Sequence, residues 1–219
     1  MAERQAPSTR LGARVRCALV LSPVTLTIAA LVLAAADWGY GLAGDSFVPA
    51  GPLDEIAHLM TTLLILWALG PRICKRFMVP ALIASVAIDA DHIPGQLGAT
   101  WLTAGTPRPY THSLLTIVVV LVIAALWRAR RDVVLGVAIG LALHFFRDLA
   151  EGDAGVSLLW PVSYHSFQYP HGVYVAIMVV VVMIDAARCA GVDRSIERRL
   201  SRQAARLRSG QLANTPEEA

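Results

Sequence analysis

Charge is scarce in this sequence. Asp, Glu, Lys and Arg make up 16% of 219 residues, against about 25% in an ordinary soluble domain. Apolar residues reach 56%, and 16 glycines come on top of that. A water-soluble domain of this length has no interior large enough to hide so much apolar surface. A disordered chain, a coiled coil and a typical cytosolic enzyme are therefore excluded. Cysteine is sparse too: Cys17, Cys74 and Cys189 are odd in number and widely spaced, which gives neither a disulfide framework nor a CxxC metal motif. The sequence has no GxSxG nucleophile elbow, no Walker phosphate loop and no dinucleotide fingerprint. It shows no sustained period-2 alternation, which argues against a β-barrel, and no internal repeat. The class that remains is a polytopic membrane protein. The net charge of +3 does not signal nucleic acid, because the basic residues sit in short clusters between apolar runs.

Six apolar segments are present: Cys17–Ala36, Ile56–Leu69, Phe77–Ile88, Leu114–Trp127, Val133–Phe146 and Val173–Ile184. The first is long enough to cross a bilayer unaided. The others have strictly apolar runs of about 12–14 residues, where about 20 is the usual need, and reach that length only with their polar ends included. The expected fold is all-α, a bundle of about six transmembrane helices. If the N-terminus is cytoplasmic and the helices alternate, all but two of the 19 basic residues fall on the cytoplasmic side, as the positive-inside rule requires. The two exceptions are Arg108 and Arg147. Both termini are thus expected in the cytoplasm. Residues 1–16 form a basic cytoplasmic segment, 17–188 the transmembrane domain, and 189–219 a cytoplasmic tail. In the tail, Asp193–Arg208 reads as a basic amphipathic helix, on the anionic inner leaflet or free in solvent, and Ser209–Ala219 as disordered.

That layout rests on Lys and Arg alone, yet it puts all six histidines on the outer side: His58, His92, His112, His144, His165 and His171. Asp89, Asp91 and Asp148 join them. Ionisable groups in or beside spans usually face the bundle interior, so several at one level predict a shared polar site. In HFFRD, His144 and Asp148 are four apart and share a helix face. In DADH, Asp89 and Asp91 sit where a helix should end before Pro94. In RPYTHS, His112 is flanked by Thr111 and Ser113, which would fix it. Imidazole and carboxylate without thiolate suit Zn²⁺, Mn²⁺ or Fe²⁺. His165 and His171 read better as loop or interfacial residues. Trp101 and Trp160 fit the outer aromatic belt, and Gly152 and Gly155 a tight turn.

The order His58, DADHI (Asp89–Ile93), RPYTHS (Arg108–Ser113), HFFRD (His144–Asp148), LLWPVS (Leu158–Ser163) resembles the bacterial YdjM-like family, also called LexA-binding. The resemblance covers about His58–Ser163. It implies an inner-membrane, metal-dependent hydrolase. In the family the first aspartate follows a proline, whereas here Ala87 and Ile88 precede Asp89, which leaves Asp89 and Asp91 both open as the main ligand. The pattern is more distantly similar to zinc-dependent phospholipase C, which would make His58, Asp89, His112, His144 and Asp148 zinc ligands. No second HxxxE helix is evident, so one or two ions are expected rather than three.

The expected chemistry is hydrolysis. A divalent cation lowers the pKa of water towards about 7 and polarises a carbonyl or phosphoryl oxygen. Asp91, besides being a candidate ligand, or His92 would be the general base, and Arg108 would hold an anionic substrate group. Arg147 would do likewise or pair with Asp148. A site opening near the headgroups points to membrane lipids, or a lipid-linked phosphoester, as substrate. Two other readings use the same residues: a metal-ion transporter, and a non-enzymatic regulator that binds a protein partner around a structural metal.

Overall fold

The computed structural model describes residues 21–44, 47–103, 105–151 and 155–212, the side chains only as far as Gly191. The N-terminal basic cluster, Cys17 and Gly152 lie outside the described residues, as do the side chains of the basic tail. Among the described residues six main helices follow one another: α1 (Pro23–Ala43), α2 (Phe47–Leu69), α3 (Pro71–Ala87), α4 (Leu114–Leu126), α5 (Arg131–Asp148) and α6 (His171–Leu212). Among the described residues there is no strand, only an isolated antiparallel bridge between Val156 and Phe167.

Each expected apolar segment lies largely on one of these helices, but the six spans are not equivalent. Among the described residues three helical stretches are long and apolar enough to cross a membrane: Pro23–Ala43, Val48–Leu69 and His171–Gly191. The first begins later than the apolar run that announces it. Its start is fixed by Ser22, whose Oγ accepts from the Thr25 amide at 3.2 Å while Thr25 Oγ1 accepts from the Ser22 amide at 2.8 Å, a capping box with Pro23 at the first helical position. The other three helices are short or charged. With 13 residues, α4 spans about 20 Å of a hydrocarbon core about 30 Å thick. The reason lies in the polar ends that were to complete these spans. Beyond Ala87 the chain tightens into a 3-10 turn, Ile88–His92, and a single helical turn, Ile93–Gln96. RPYTHS stays outside α4, which starts only at Leu114. Polar residues that would lengthen the helices build the site instead.

Helices α3 and α5 pack most closely, and small residues let them do so. On α5, Gly136, Gly140, His144 and Asp148 recur every fourth position and form one buried stripe, since residues four apart share a helix face. It lies against Phe77, Ala81 and Ser85 of α3, also four apart and buried. A Cβ on Gly136 would stand 2.4 Å from Pro80 Cγ, and one on Gly140 would stand 2.2 Å from the Ala81 carbonyl oxygen. This is the small-xxx-small contact of membrane helices. It positions the next residue in the stripe: His144 Nδ1 lies 2.9 Å from the Ser85 carbonyl oxygen.

An Ala at Gly140 cannot be absorbed by a side-chain shift, because it meets backbone. Gly140→Ala should destabilise the protein by about 1–3 kcal/mol, the usual range for overpacking. Gly41→Ala, where the added methyl meets nothing within 4 Å, should be neutral or stabilising by up to about 1 kcal/mol. Thermal unfolding of the two purified variants in detergent checks the contrast, and equal melting temperatures would refute the packing argument.

Candidate metal centre

The alternation of helices brings the N-terminal half of α2, the end of α3, the start of α4 and the end of α5 to one end of the bundle. His58, Asp89, His112, His144 and Asp148 come from those four places. At the opposite end, Arg76 near the start of α3 pairs with Asp132 near the start of α5 at 2.5 Å. His58, His144 and Asp148 are fully buried, and His112 is 1% exposed.

Two imidazoles and two carboxylates converge. His112 Nε2 lies 3.1 Å from His144 Nε2, 3.1 Å from Asp89 Oδ1 and 3.6 Å from Asp148 Oδ2. His144 Nε2 lies 3.4 Å from the same Asp89 oxygen and 3.1 Å from the same Asp148 oxygen. Two triangles thus share the His112–His144 edge. Ligand bonds of about 2.0–2.1 Å in a tetrahedron imply ligand–ligand separations of about 3.3–3.4 Å, which is the scale seen here.

The tautomers agree with this reading. A carbonyl oxygen only accepts, so the Ser85 contact requires the proton of neutral His144 to be on Nδ1. Nε2 then presents a lone pair to the cluster, and it faces another imidazole Nε2. A cation between them satisfies both. Neither oxygen of Asp148 and neither nitrogen of His58 makes a hydrogen bond of good geometry among the described residues, although all four atoms are buried. Buried polar atoms close together but poorly aligned with one another fit a shared ion. Among the described residues three groups could hold one: Asp89, Asp91, His92 and His112; His58, His144 and Asp148; and Asp54, His58 and Glu151, the last two sharing His58.

The remaining candidates take distinct positions. The His58 ring stacks on His144 with centroids 3.8 Å apart, and its Nε2 is 3.2 Å from Asp148 Oδ1, the oxygen that turns away from the two triangles. Asp91, expected as ligand and base, lies on the other side of His112: its Oδ2 is 3.4 Å from Nδ1. Thr111 donates to that same Asp91 oxygen rather than to His112, and Ser113 Oγ is buried without a hydrogen-bond partner among the described residues. His92 is about one-third exposed, with Nε2 3.6 Å from Asp89 Oδ1. Burial disfavours charge on Asp89, but with no ion bound the protonated forms of His112 and His144 donate to it, outweigh burial and hold the carboxyl well below its usual range. Burial likewise works against charge on His112, and its contacts with Asp89 and Asp91 override this and raise its pKa.

Both arginines expected on the outer side are engaged. Arg108 reaches Asp148 Oδ1 at 3.2 Å and Glu151 Oε2 at 3.0 Å. Arg147 pairs not with Asp148, as its position inside HFFRD suggested, but with Asp37 at 2.9 Å, Asp54 at 2.6 Å and Glu151. Asp37, Asp54, Glu55 and Glu151 escaped sequence reasoning. The available signal was DEIAH, in which Asp54 precedes His58 by four residues, the mirror of HFFRD. His165 and His171 are exposed and lie against Phe167 and Tyr174, respectively. Trp160 does not stand free in an interfacial belt; its ring stacks on Tyr110 at 4.4 Å. The LLWPVS segment buttresses RPYTHS, since the Leu114 amide donates to the Leu158 carbonyl at 2.9 Å. Gly155, just before that segment, has φ +67°, and a Cβ there would meet Ser166 Oγ.

Beside the cluster lies an open cavity of about 870 Å³, within the size range of ligand sites. Asp54, Glu55, Asp89, His92, Arg108 and Glu151 line its polar side, and Val48, Pro52, Val86 and Ile93 contribute an apolar wall.

No curated protein and no solved structure matches this chain. One family model does: that described as YdjM inner membrane protein, over residues 53–207, a stretch that contains every candidate ligand and ends within α6. With well over half of its length matched, the chain belongs to the YdjM inner membrane protein family.

Proposed function

We propose that this chain is a membrane-embedded, metal-dependent hydrolase acting on a lipid or lipid-linked phosphoester at the outer face of the bacterial inner membrane. The observation that carries the reading is the convergence of His112 Nε2, His144 Nε2, Asp89 Oδ1 and Asp148 Oδ2 beside an open cavity. These four residues would hold the ion, with zinc favoured by the donor set. A bound divalent cation would supply Lewis acidity and an acidified water. Asp91, behind His112 at Nδ1, fixes that ring as acidic partners of metal-bound histidines do. His92, on the cavity wall with Nε2 free of any hydrogen bond among the described residues, accepts the proton of an attacking water. Arg108 holds Asp148 and Glu151 ionised and in place. The same reading has six helices crossing the bilayer, the shorter ones ending inside the site, with both termini cytoplasmic.

The test combines metal analysis of purified protein with a panel of phospholipids and phosphoesters, assayed with and without chelator. One or two equivalents of metal and hydrolysis abolished by chelator are expected. Metal without hydrolysis of any substrate would favour the non-enzymatic regulator.

A further inference from the structure

We propose that the cavity is a headgroup site for a lipid carrying an ammonium group, and that Glu55 receives that group. This deepens the hydrolase reading by naming its substrate class. The carboxylates that line the cavity are not alike. Asp54 and Glu151 are paired with Arg147, and Asp89 is held by His112 and His144. Glu55 lines the same cavity, yet it makes no ion pair among the described residues, and its Oε2 is buried without a hydrogen-bond partner. A buried carboxylate oxygen left unpaired is costly, and a cation from outside relieves it. Glu55 is absent from the groups whose ligand atoms come close enough to share an ion, so an organic cation fits better than a second metal.

The opposite charge has no free receptor. Among the described residues Arg108 is the one guanidinium or ammonium lining the cavity, and Asp148 and Glu151 already engage it. A phosphate headgroup with no ammonium to offset its charge would meet a wall of carboxylates. The ligand must also be amphiphilic. Ile93 and Val48 both line the cavity and are 54% and 79% exposed, and Pro52 and Val86 line it too. This apolar lip suits an acyl chain lying at the interface.

The full-length protein, stripped of metal with EDTA, is incubated in mixed micelles holding equal phosphatidylethanolamine and phosphatidylglycerol. Lipid retained after capture is measured by mass spectrometry. Wild type is expected to enrich phosphatidylethanolamine at least about tenfold, and Glu55→Gln to reduce the enrichment to about twofold or less, while taking up metal as wild type does when it is restored. Equal retention of the two lipids by wild type would overturn the proposal, as would an enrichment that survives Glu55→Gln. Soluble phosphoethanolamine should fail to displace the lipid at equal concentration; if it does displace it, the site serves a free amine and the lipid assignment falls. Because binding is read without metal, a headgroup preference in a protein that hydrolyses nothing would leave this proposal standing while the hydrolase reading fails.

Discussion

Asp148→Asn should retain the fold and lose the metal. Asp148 is fully buried and faces His58, His112, His144 and Arg108 within 3.1–3.6 Å. Asn keeps its shape but removes the charge that offsets a cation, and it places an amide nitrogen where ligand atoms converge. The affinity for zinc should fall at least about a hundredfold, or about 2.7 kcal/mol, measured as metal retained after dialysis against a graded chelator. Asp132→Asn, at the exposed pair on the opposite end of the bundle, should leave retention unchanged. Wild-type metal content in Asp148→Asn would mean that the ion, if any, lies elsewhere.

The same measurement has a pH dependence with a definite sign. The pKa of His112 is raised in the folded protein, so its imidazole stays protonated to a higher pH than a free one. A cation must displace that proton. Affinity should therefore rise between pH 6 and pH 8, and a flat profile would remove His112 from the ligand set.

The largest effect on stability is expected at Arg147. Its guanidinium, 4% exposed, is the shared partner of Asp37 on α1, Asp54 on α2 and Glu151 just beyond α5. Removing one partner of a buried ion pair typically costs about 3–5 kcal/mol, because the other charge is left uncompensated. Arg147→Met strands three carboxylates at once, so the loss should reach at least that range. For a chain of this size it corresponds to a drop of about 6–20 °C in melting temperature. Arg147→Lys should recover only part of the loss, because a single ammonium cannot present the forked donors that reach three carboxylates. Adding Asp54→Asn and Glu151→Gln to Arg147→Met should restore stability relative to the single variant. A melting point for Arg147→Met within about 2 °C of wild type would show that the network contributes no more than a surface pair.

What could be read from the sequence was position along each helix, and what could not was rotation about it. HFFRD announced its pair because a four-residue spacing stays on one face whatever the neighbours do. The one-sided gathering of histidines followed from alternation of the helices. The choice between Asp89 and Asp91 depends on the 3-10 turn that follows Ala87, whose geometry sends one carboxylate to each nitrogen of His112. Spacing alone does not encode that turn. The pairing of Arg147 was hidden for a related reason: it lies one position before Asp148, about 100° round the helix, and so faces α1 and α2 while Asp148 faces the histidines. The rotation that settles both is set by Gly136 and Gly140, which dock α5 on α3. Three of the six expected spans fall short of the usual length or apolarity for a crossing, because the polar ends needed to lengthen them form the walls of the site.

The ion pairs also impose an order on biogenesis. Asp37, Asp54, Glu55, Asp89 and Asp91 all precede Arg108 and Arg147 in the chain. As the nascent protein emerges, the end of the bundle that becomes the site is acidic, gaining Arg108 only after α3 and Arg147 only with α5. The first three helices cannot close around their own carboxylates, and α5 arrives carrying the cation that holds α1 and α2 together. Docking of its glycine stripe on α3 is therefore the step at which a loose group of helices becomes a single assembled bundle.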